Sequence, residues 1–207
     1  MDEKEFVIYN TELFKKIAPR YKWLDFIASR CRITFCKFTG SVNSLKILDV
    51  ATGTGKQAFA FAKRGAEVMG VDLSEDMLQF ARQNNSFKNV DFRLANGTKL
   101  PFEDKKFDLT TMSFALHCMT EKVREDTLAE MKRVTKDKGR VSFIDYHKPK
   151  KGLGVLIYKG LAKLETPLYK KFLDTDFDET LQKTGLRKVR HKKIFFGTMQ
   201  MISCEFD

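Results

Sequence analysis

Short apolar runs, turn residues and helix-compatible segments alternate through the middle of the chain. The run Leu45-Lys46-Ile47-Leu48-Asp49-Val50 ends in a glycine-rich turn, and residues 56–63 then have helical character up to Gly65. Residues 67–71 predict a second strand, after which Ser74 is placed to cap a helix carrying Met77, Leu78, Phe80 and Ala81. Three more strands are expected at Val90–Leu94, 107–114 and 141–146, with a helix near Glu121–Val134 before the last. Repeated β-α units of this kind imply a parallel sheet covered by helices.

The rhythm changes at both ends. Residues 11–38 are helical and aromatic, with Phe14, Ile17, Ala18, Tyr21, Leu24 and Ile27 at helical spacing, and Pro19 divides them into two short helices. After residue 147 come an amphipathic stretch at 153–164, a short helix at Phe177–Lys183 stopped by Gly185, and two strands, 186–196 and 198–206. Only Gly197 separates those strands, so they must be antiparallel. With few prolines, no repeat and no low-complexity linker, the 207 residues predict one α/β domain. The expected fold is a Rossmann-like three-layer sandwich on a mostly parallel seven-stranded sheet with a C-terminal antiparallel hairpin.

Composition narrows the class. Hydrophobic residues make up 43% and charged residues 31%, which excludes a disordered or collagenous chain. A formal net charge of +11, with the excess concentrated between Lys148 and Lys193, favours anionic partners such as nucleic acid or acidic lipid headgroups. A well-solvated basic surface accounts for it equally well. Cys31, Cys36, Cys118 and Cys204 are too scattered for a disulfide framework or a zinc site, and they are expected as reduced thiols with no metal. The acidic start Met1-Asp2-Glu3-Lys4-Glu5 leads into no apolar run of spanning or signal length. A cytoplasmic protein with at most peripheral membrane contact is expected.

The candidate chemistry lies in Leu48-Asp49-Val50-Ala51-Thr52-Gly53-Thr54-Gly55 and in Asp72 at the next strand tip. Gly53 and Gly55 let a ligand approach the backbone, and a carboxylate at the second strand tip can hold both hydroxyls of a ribose. Gly53-Thr54-Gly55-Lys56-Gln57-Ala58 also fits the dinucleotide fingerprint, so a nicotinamide oxidoreductase remains an alternative. Asp49 separates the two, because a carboxylate beside the first turn repels a pyrophosphate and attracts a cation. S-adenosylmethionine has an ammonium, a sulfonium and no phosphate. A buried structural acid is the other reading of Asp49.

With these motifs the chain resembles the class I S-adenosylmethionine-dependent methyltransferases, and among them the UbiE-like ubiquinone/menaquinone-biosynthesis C-methyltransferases. The resemblance runs from Phe14-Lys15-Lys16-Ile17-Ala18-Pro19-Arg20-Tyr21 through the LDVATGTG turn, VDLSEDML, ANGTKLPF and FDLTTMSFAL to IDYHKP. It implies residues 1–40 as a helical cap, 41–147 as the cofactor-binding core, and 148–207 as acceptor-side helices with the terminal hairpin. It implies that Gly53 and Gly55 face the methionine half of the cofactor, that Asp49, Ala51 and Thr52 are also cofactor-binding, and that Asp72 takes the ribose. Leu73 and Met77 flank the adenine, Asn96 and Gly97 contact its edge, Ser113 lines the cleft, and Tyr21 closes over it. The product is S-adenosylhomocysteine. Lys22 stands where the family usually has Asp, and His117 where the quinone enzymes usually carry Arg.

Methyl transfer from a sulfonium needs an in-line acceptor, and a base only where the acceptor must lose a proton. His117 and His147, following the fourth and fifth strands at the ligand edge, are the catalytic candidates, with structural roles as the alternative; His191, between Arg190 and Lys192, is expected at the surface. Ser113-Phe114-Ala115-Leu116 lacks the Asn/Asp-Pro-Pro-aromatic turn typical of DNA-base amine methylation, which disfavours DNA. The acceptor is left as small or lipid-like: a quinone-type ring, a phospholipid or RNA. The apolar face Phe14, Tyr21, Trp23, Phe26 and Ile27 beside basic residues suits an acceptor reached from an anionic membrane surface, or helices packed on the sheet. A non-catalytic basic binding module is the third class of reading.

Overall fold

The computed structural model describes residues 21–161 and 167–206, leaving aside the side chains of residues 21–29, 161 and 167. Its seven strands are β1 (Lys46–Val50), β2 (Glu67–Asp72), β3 (Val90–Leu94), β4 (Phe107–Ser113), β5 (Thr135–Tyr146), β6 (Arg187–Ile194) and β7 (Met199–Glu205). They form one sheet in the order β3-β2-β1-β4-β5-β7-β6. β1 to β5 pair in parallel, while β7 pairs antiparallel with both β5 and β6. The expected mostly parallel seven-stranded sheet with its terminal hairpin is therefore the observed one.

The helices are α1 (Tyr21–Phe38), α2 (Lys56–Ala62), α3 (Glu75–Gln83), α4 (Glu121–Val134), α5 (Leu153–Leu161), α6 (Pro167–Asp174) and α7 (Phe177–Lys183). α2 and α3 connect strands running one way from β1, and α4 connects β4 to β5 running the other way. Right-handed crossovers then set α4 on the opposite face, which gives the three layers. α2 packs on α1 and β2, α4 on β4 and β5, and α7 on β6. The core is made of side chains such as Phe35, Ile47, Leu48, Phe61, Leu109, Leu128, Phe143 and Ile202, all nearly inaccessible.

Several features differ from the expectations. Where Gly197 alone was expected between the last two strands, a turn of 3-10 helix over Phe195–Gly197 and Thr198 separate β6 from β7, because Phe195 and Phe196 take left-handed φ values that end the strand. Of the two helices expected at 11–38, the structure describes one continuous helix from Tyr21; the earlier segment, with Phe14, Ile17, Ala18 and Pro19, lies outside the described residues. β5 begins at Thr135, six residues before the expected start. The Thr135 hydroxyl, 2.6 Å from the Met131 carbonyl and 2.9 Å from the Thr110 hydroxyl, ends α4 as the backbone joins β4. Helix α6 was not anticipated, although Pro167 at a first helical position and the inward-facing Tyr169 and Phe172 are a legible signal for it.

Candidate active site

The order reverses between β1 and β4, and in open α/β sheets ligands bind at the carboxyl ends of strands beside such a reversal. There β1 runs into a tight loop through Ala51 (φ 54°), Gly53 (φ 54°) and Gly55 (φ 77°). The two glycines serve different ends. A Cβ on Gly55 would sit 2.7 Å from Phe92, 3.0 Å from Phe59 and 3.1 Å from Ala81, so this residue is bare because the protein packs against it. A Cβ on Gly53 would meet nothing within 4 Å. Gly53 instead leaves open space beside a left-handed backbone, where a ligand can approach.

Asp72, at the tip of β2, accepts hydrogen bonds from the Gly53 amide (2.7 Å, Oδ2) and the Ser74 amide (2.9 Å, Oδ1), tying the β1 loop to the start of α3. Burial raises its carboxyl pKa, against the opposing pull of the Ser74, Gly53 and Leu73 amides. With three amides on about four acceptor sites, the carboxylate keeps room for a further donor. Leu73 is 39% exposed beside it, and Met77 lies on the first turn of α3, where Ser74 caps through its hydroxyl (3.3 Å to the Met77 amide).

Asp49 is 1% exposed, with its two oxygens taken by the hydroxyls of Thr52 (2.7 Å) and Thr111 (2.9 Å). Burial pushes its carboxyl up to about 6 despite those two donors. Asp49 thus sits beneath the loop, and any influence it has on a ligand is through its field. Thr52, Asn96 and Gly97 follow the carboxyl ends of β1 and β3, and Ser113 ends β4. Gly97 packs on Val50 and Thr127, the Asn96 side chain accepts from the Thr98 amide (3.0 Å), and Thr52 is fixed by its amide to the Val71 carbonyl (2.9 Å). The Ser113 hydroxyl reaches Gln57 of α2 (3.3 Å), which in turn reaches Cys36 of α1 (3.1 Å). Tyr21 opens α1, and its side chain lies outside the described residues, as do those of Trp23, Phe26 and Ile27.

The two histidines occupy different environments at the ends of β4 and β5. His117, in a short turn of 3-10 helix (Leu116–Cys118), is 6% exposed, and its Nδ1 lies 2.8 Å from Asp145 of β5. Asp145 also accepts from the Leu116 amide (2.8 Å). Burial opposes protonation of His117, but the Cys118 sulfur and the Asp145 carboxylate outweigh it and hold the imidazole well above its ordinary range. Tyr146 and Tyr169 meet the His117 ring edge to face, with centroids 4.7 and 6.0 Å away, and Phe114 packs on Tyr146. Arg124 of α4 donates to the Leu116 and Met119 carbonyls and stacks over Phe172, clamping this turn from outside.

His147 is half-buried, with Nδ1 2.7 Å from the Gly197 carbonyl. A carbonyl only accepts, so Nδ1 carries the proton and Nε2 is the basic nitrogen. Burial lowers its pKa, and Lys193 and Lys150 add to the effect against the Gly197 hydrogen bond. His191 is exposed, with Nε2 3.1 Å from Gln200. Asp145, Tyr146, Tyr169, Arg124 and Gln57 were not singled out from the sequence. Asp145 and Tyr146 lie inside the IDYHKP motif, and the other three become part of the site only through long-range contacts. Among the described residues no cluster of three or more His, Cys, Asp or Glu could hold a metal.

The residues present suit S-adenosylmethionine: open space over Gly53, a carboxylate at the tip of β2, an exposed leucine for a flat base, and a buried acid beneath the loop. A family model described as "Methyltransferase domain" matches residues 47–139. Over 92% of this chain and 88% of the relative, the sequence is 31% identical to a demethylmenaquinone methyltransferase of Tropheryma whipplei. It is 30% identical to the ubiquinone/menaquinone biosynthesis C-methyltransferase UbiE of Azotobacter vinelandii, over 81% of this chain and 70% of that one. Among solved structures, a SAM-dependent methyltransferase from Aquifex aeolicus superposes with a TM-score of 0.66 at 22% identity, covering 84% of this chain and 88% of the other. The magnesium protoporphyrin IX methyltransferase of Synechocystis, solved with bound S-adenosylhomocysteine, also gives 0.66, at 17% identity over 86% and 82%. Sheet order, cradle and sequence kinship agree: this chain belongs to the class I S-adenosylmethionine-dependent methyltransferases, in their UbiE-like branch.

Proposed function

We propose that this methyltransferase C-methylates a lipid-like acceptor with a quinol-type ring, taken up from an anionic membrane surface. The observation that carries the reading is the aromatic cluster of Phe114, Tyr146 and Tyr169 packed about His117 at the carboxyl ends of β4 and β5. Flat apolar walls suit a ring, and an imidazole suits a phenolic proton. The names of the relatives, demethylmenaquinone methyltransferase and ubiquinone/menaquinone C-methyltransferase, support the same acceptor class.

When bound, S-adenosylmethionine supplies an electrophilic methyl on a sulfonium. Asp72 would hold the ribose, while Leu73, Met77, Asn96 and Gly97 would surround the adenine. Gly53 and Gly55 border the methionine half, with Ala51 and Thr52 shaping the loop. Asp49 contributes negative potential, and Ser113 lines the cleft. His147, kept neutral by burial and by Lys193 and Lys150, takes the ring hydroxyl proton on Nε2, which makes the ring carbon nucleophilic; the ring hydrogen that the methyl replaces then leaves as a proton as the aromatic ring re-forms. His117, with its positive charge favoured by Asp145, donates to an acceptor oxygen and stabilises charge that grows there.

The test is methyl incorporation, read by mass spectrometry, with a short-chain demethylmenaquinol, phosphatidylethanolamine and RNA as parallel acceptors. Transfer to a ring carbon of the quinol is expected. Transfer to either of the others alone overturns the acceptor assignment.

A further inference from the structure

The turn between β6 and β7 is strained, and it puts an aromatic ring into solvent. Phe195 (φ 49°) and Phe196 (φ 57°) are consecutive non-glycine residues in the left-handed region, which is costly for bulky side chains. Phe195 packs inward against the core, while Phe196 is 63% exposed. Helix α5 abuts this turn so closely that a Cβ on Gly154 would run into the Phe196 carbonyl. On α5, Leu153 and Leu156, three residues apart and so on one side, are 54% and 68% exposed. Three large apolar side chains are thus exposed on α5 and on the turn it abuts.

The charge nearby is predominantly basic, with Lys148 paired to Asp174. Residues 146–164 and 187–204 contain no Asp or Glu. Lys150, Lys151, Lys159, Lys192 and Lys193 are exposed, and no ion pair holds them among the described residues. Lys150 and Lys193 lie near enough to His147 to lower its pKa, and His147 binds the carbonyl of Gly197, next to Phe196. The patch therefore adjoins the acceptor edge of the active site.

We propose that α5 and the Phe195–Gly197 turn form a docking surface for an anionic lipid bilayer, with Phe196, Leu153 and Leu156 entering the acyl boundary and the lysines meeting headgroups. Exposed apolar side chains rimmed by uncompensated lysines match an interface that is apolar inside and negative at its surface. A nucleic acid would use the lysines but offers nothing to the two leucines. The strained turn is retained because it presents Phe196. The surface gives a lipid-like acceptor a short route to His147, and this part rests on the function proposed above.

The binding test does not depend on that function. Co-sedimentation with acceptor-free vesicles of phosphatidylglycerol and phosphatidylcholine compares wild type, Leu156→Ser/Phe196→Ser and Lys150→Gln/Lys151→Gln/Lys193→Gln, with S-adenosylhomocysteine affinity as the check on folding. Wild type is expected to bind these vesicles and to bind pure phosphatidylcholine far less. Each variant should bind roughly tenfold more weakly while keeping its cofactor affinity. Unchanged vesicle binding in the Ser variant overturns the proposal, even where the Gln variant is weakened. So does a wild-type dimer in sedimentation velocity that the Ser variant abolishes, or binding of homopolymer RNA with no binding of vesicles. A protein that docks as expected yet fails to methylate the quinol would refute the acceptor assignment and leave the docking surface standing.

Discussion

The cofactor cradle and the acceptor edge sit on the same sheet but are built differently. The cradle is local: Gly53, Gly55, Asp72, Ser74 and Met77 fall within 25 residues, and backbone amides and glycines do most of the holding. The acceptor edge is assembled across the chain. His117 meets Asp145 28 residues away, His147 meets Gly197 50 residues away, and Tyr169 closes on both His117 and Tyr146. A cradle defined by backbone geometry suits a cofactor that is always the same. An edge defined by side chains from separate elements can be changed without touching the cradle, so substitutions in one region should leave the other working.

The largest expected break of that division is Asp72→Ala. It removes the carboxylate proposed to hold the ribose, charge-assisted bonding that should contribute about 3–4 kcal/mol, or several hundredfold in Kd for S-adenosylhomocysteine by calorimetry. Because Asp72 also ties the Gly53 amide to the Ser74 amide, Tm should fall by a few degrees as well. A Kd within threefold of wild type would remove Asp72 from the ribose.

The two glycines sharpen the comparison inside the cradle itself. Gly55→Ala combines left-handed strain with a clash against Phe92, Phe59 and Ala81, and should cost roughly 2–4 kcal/mol, lowering Tm by roughly 5–15 °C. Gly53→Ala has the strain without the clash, about 1 kcal/mol, but its methyl enters the space left for the ligand. Calorimetry should therefore show the greater loss of cofactor affinity in the variant with the smaller loss of Tm. The reverse order would mean that the open side of Gly53 is not the ligand side.

What could be read from the sequence follows the same line. The β-α rhythm, the antiparallel hairpin and the cradle loop were legible because each rests on short-range rules: periodicity, a capping serine, glycines where φ is positive. Residues such as Asp145 and Tyr169 carry no local mark of their role, since a strand-end carboxylate and a helical tyrosine are ordinary until the fold brings His117 between them. Asp49 shows a middle case. In the sequence it suggests either attraction for a cation or a buried structural acid, and the structure adds that its oxygens are already satisfied by Thr52 and Thr111.

At the acceptor edge, His147→Asn should lower kcat about a hundredfold, the low end of general-base catalysis, with cofactor Kd unchanged. The wild-type acid limb should lie below 6.5, because burial, Lys193 and Lys150 depress this imidazole. His117 works in the opposite direction. Its pKa is raised in the fold, so its contribution to stability is complete below about 6.5, the unfolded value, and is lost as pH rises through the folded value. Thermal unfolding against pH should show that loss in wild type but not in His117→Gln. A flat profile in wild type would mean that Asp145 does not hold His117 charged.

Asp49 tests whether the cradle uses charge at a distance. Its carboxyl titrates near 6 in the fold against an ordinary 3.8, so burial of its charge costs stability above pH 6 and nothing below the ordinary value. Affinity for S-adenosylmethionine should rise about tenfold as pH increases through that range, since the ionised form attracts the sulfonium and ammonium. Asp49→Asn should abolish the step while leaving Tm at neutral pH equal or higher. A lower Tm together with unchanged affinity would make Asp49 a purely structural acid.

The smallest effect separates the cap of α3 from the ligand contacts around it. The Ser74 hydroxyl lies 3.3 Å from the Met77 amide, a long capping bond, so Ser74→Ala should cost about 0.5–1 kcal/mol, the lower part of the usual range. Its own amide stays bound to Asp72, and Glu75 and Asp76 continue to favour the positive end of the helix, so the first turn should fray without moving the carboxylate. Met77 stands on that turn as the expected adenine neighbour, and fraying there should weaken cofactor binding by less than about threefold. Amide hydrogen exchange should rise at residues 75–78 and stay unchanged at residues 51–55. If exchange rises equally in both segments, the cradle opens as one unit and Asp72 does not isolate its loop from the helix.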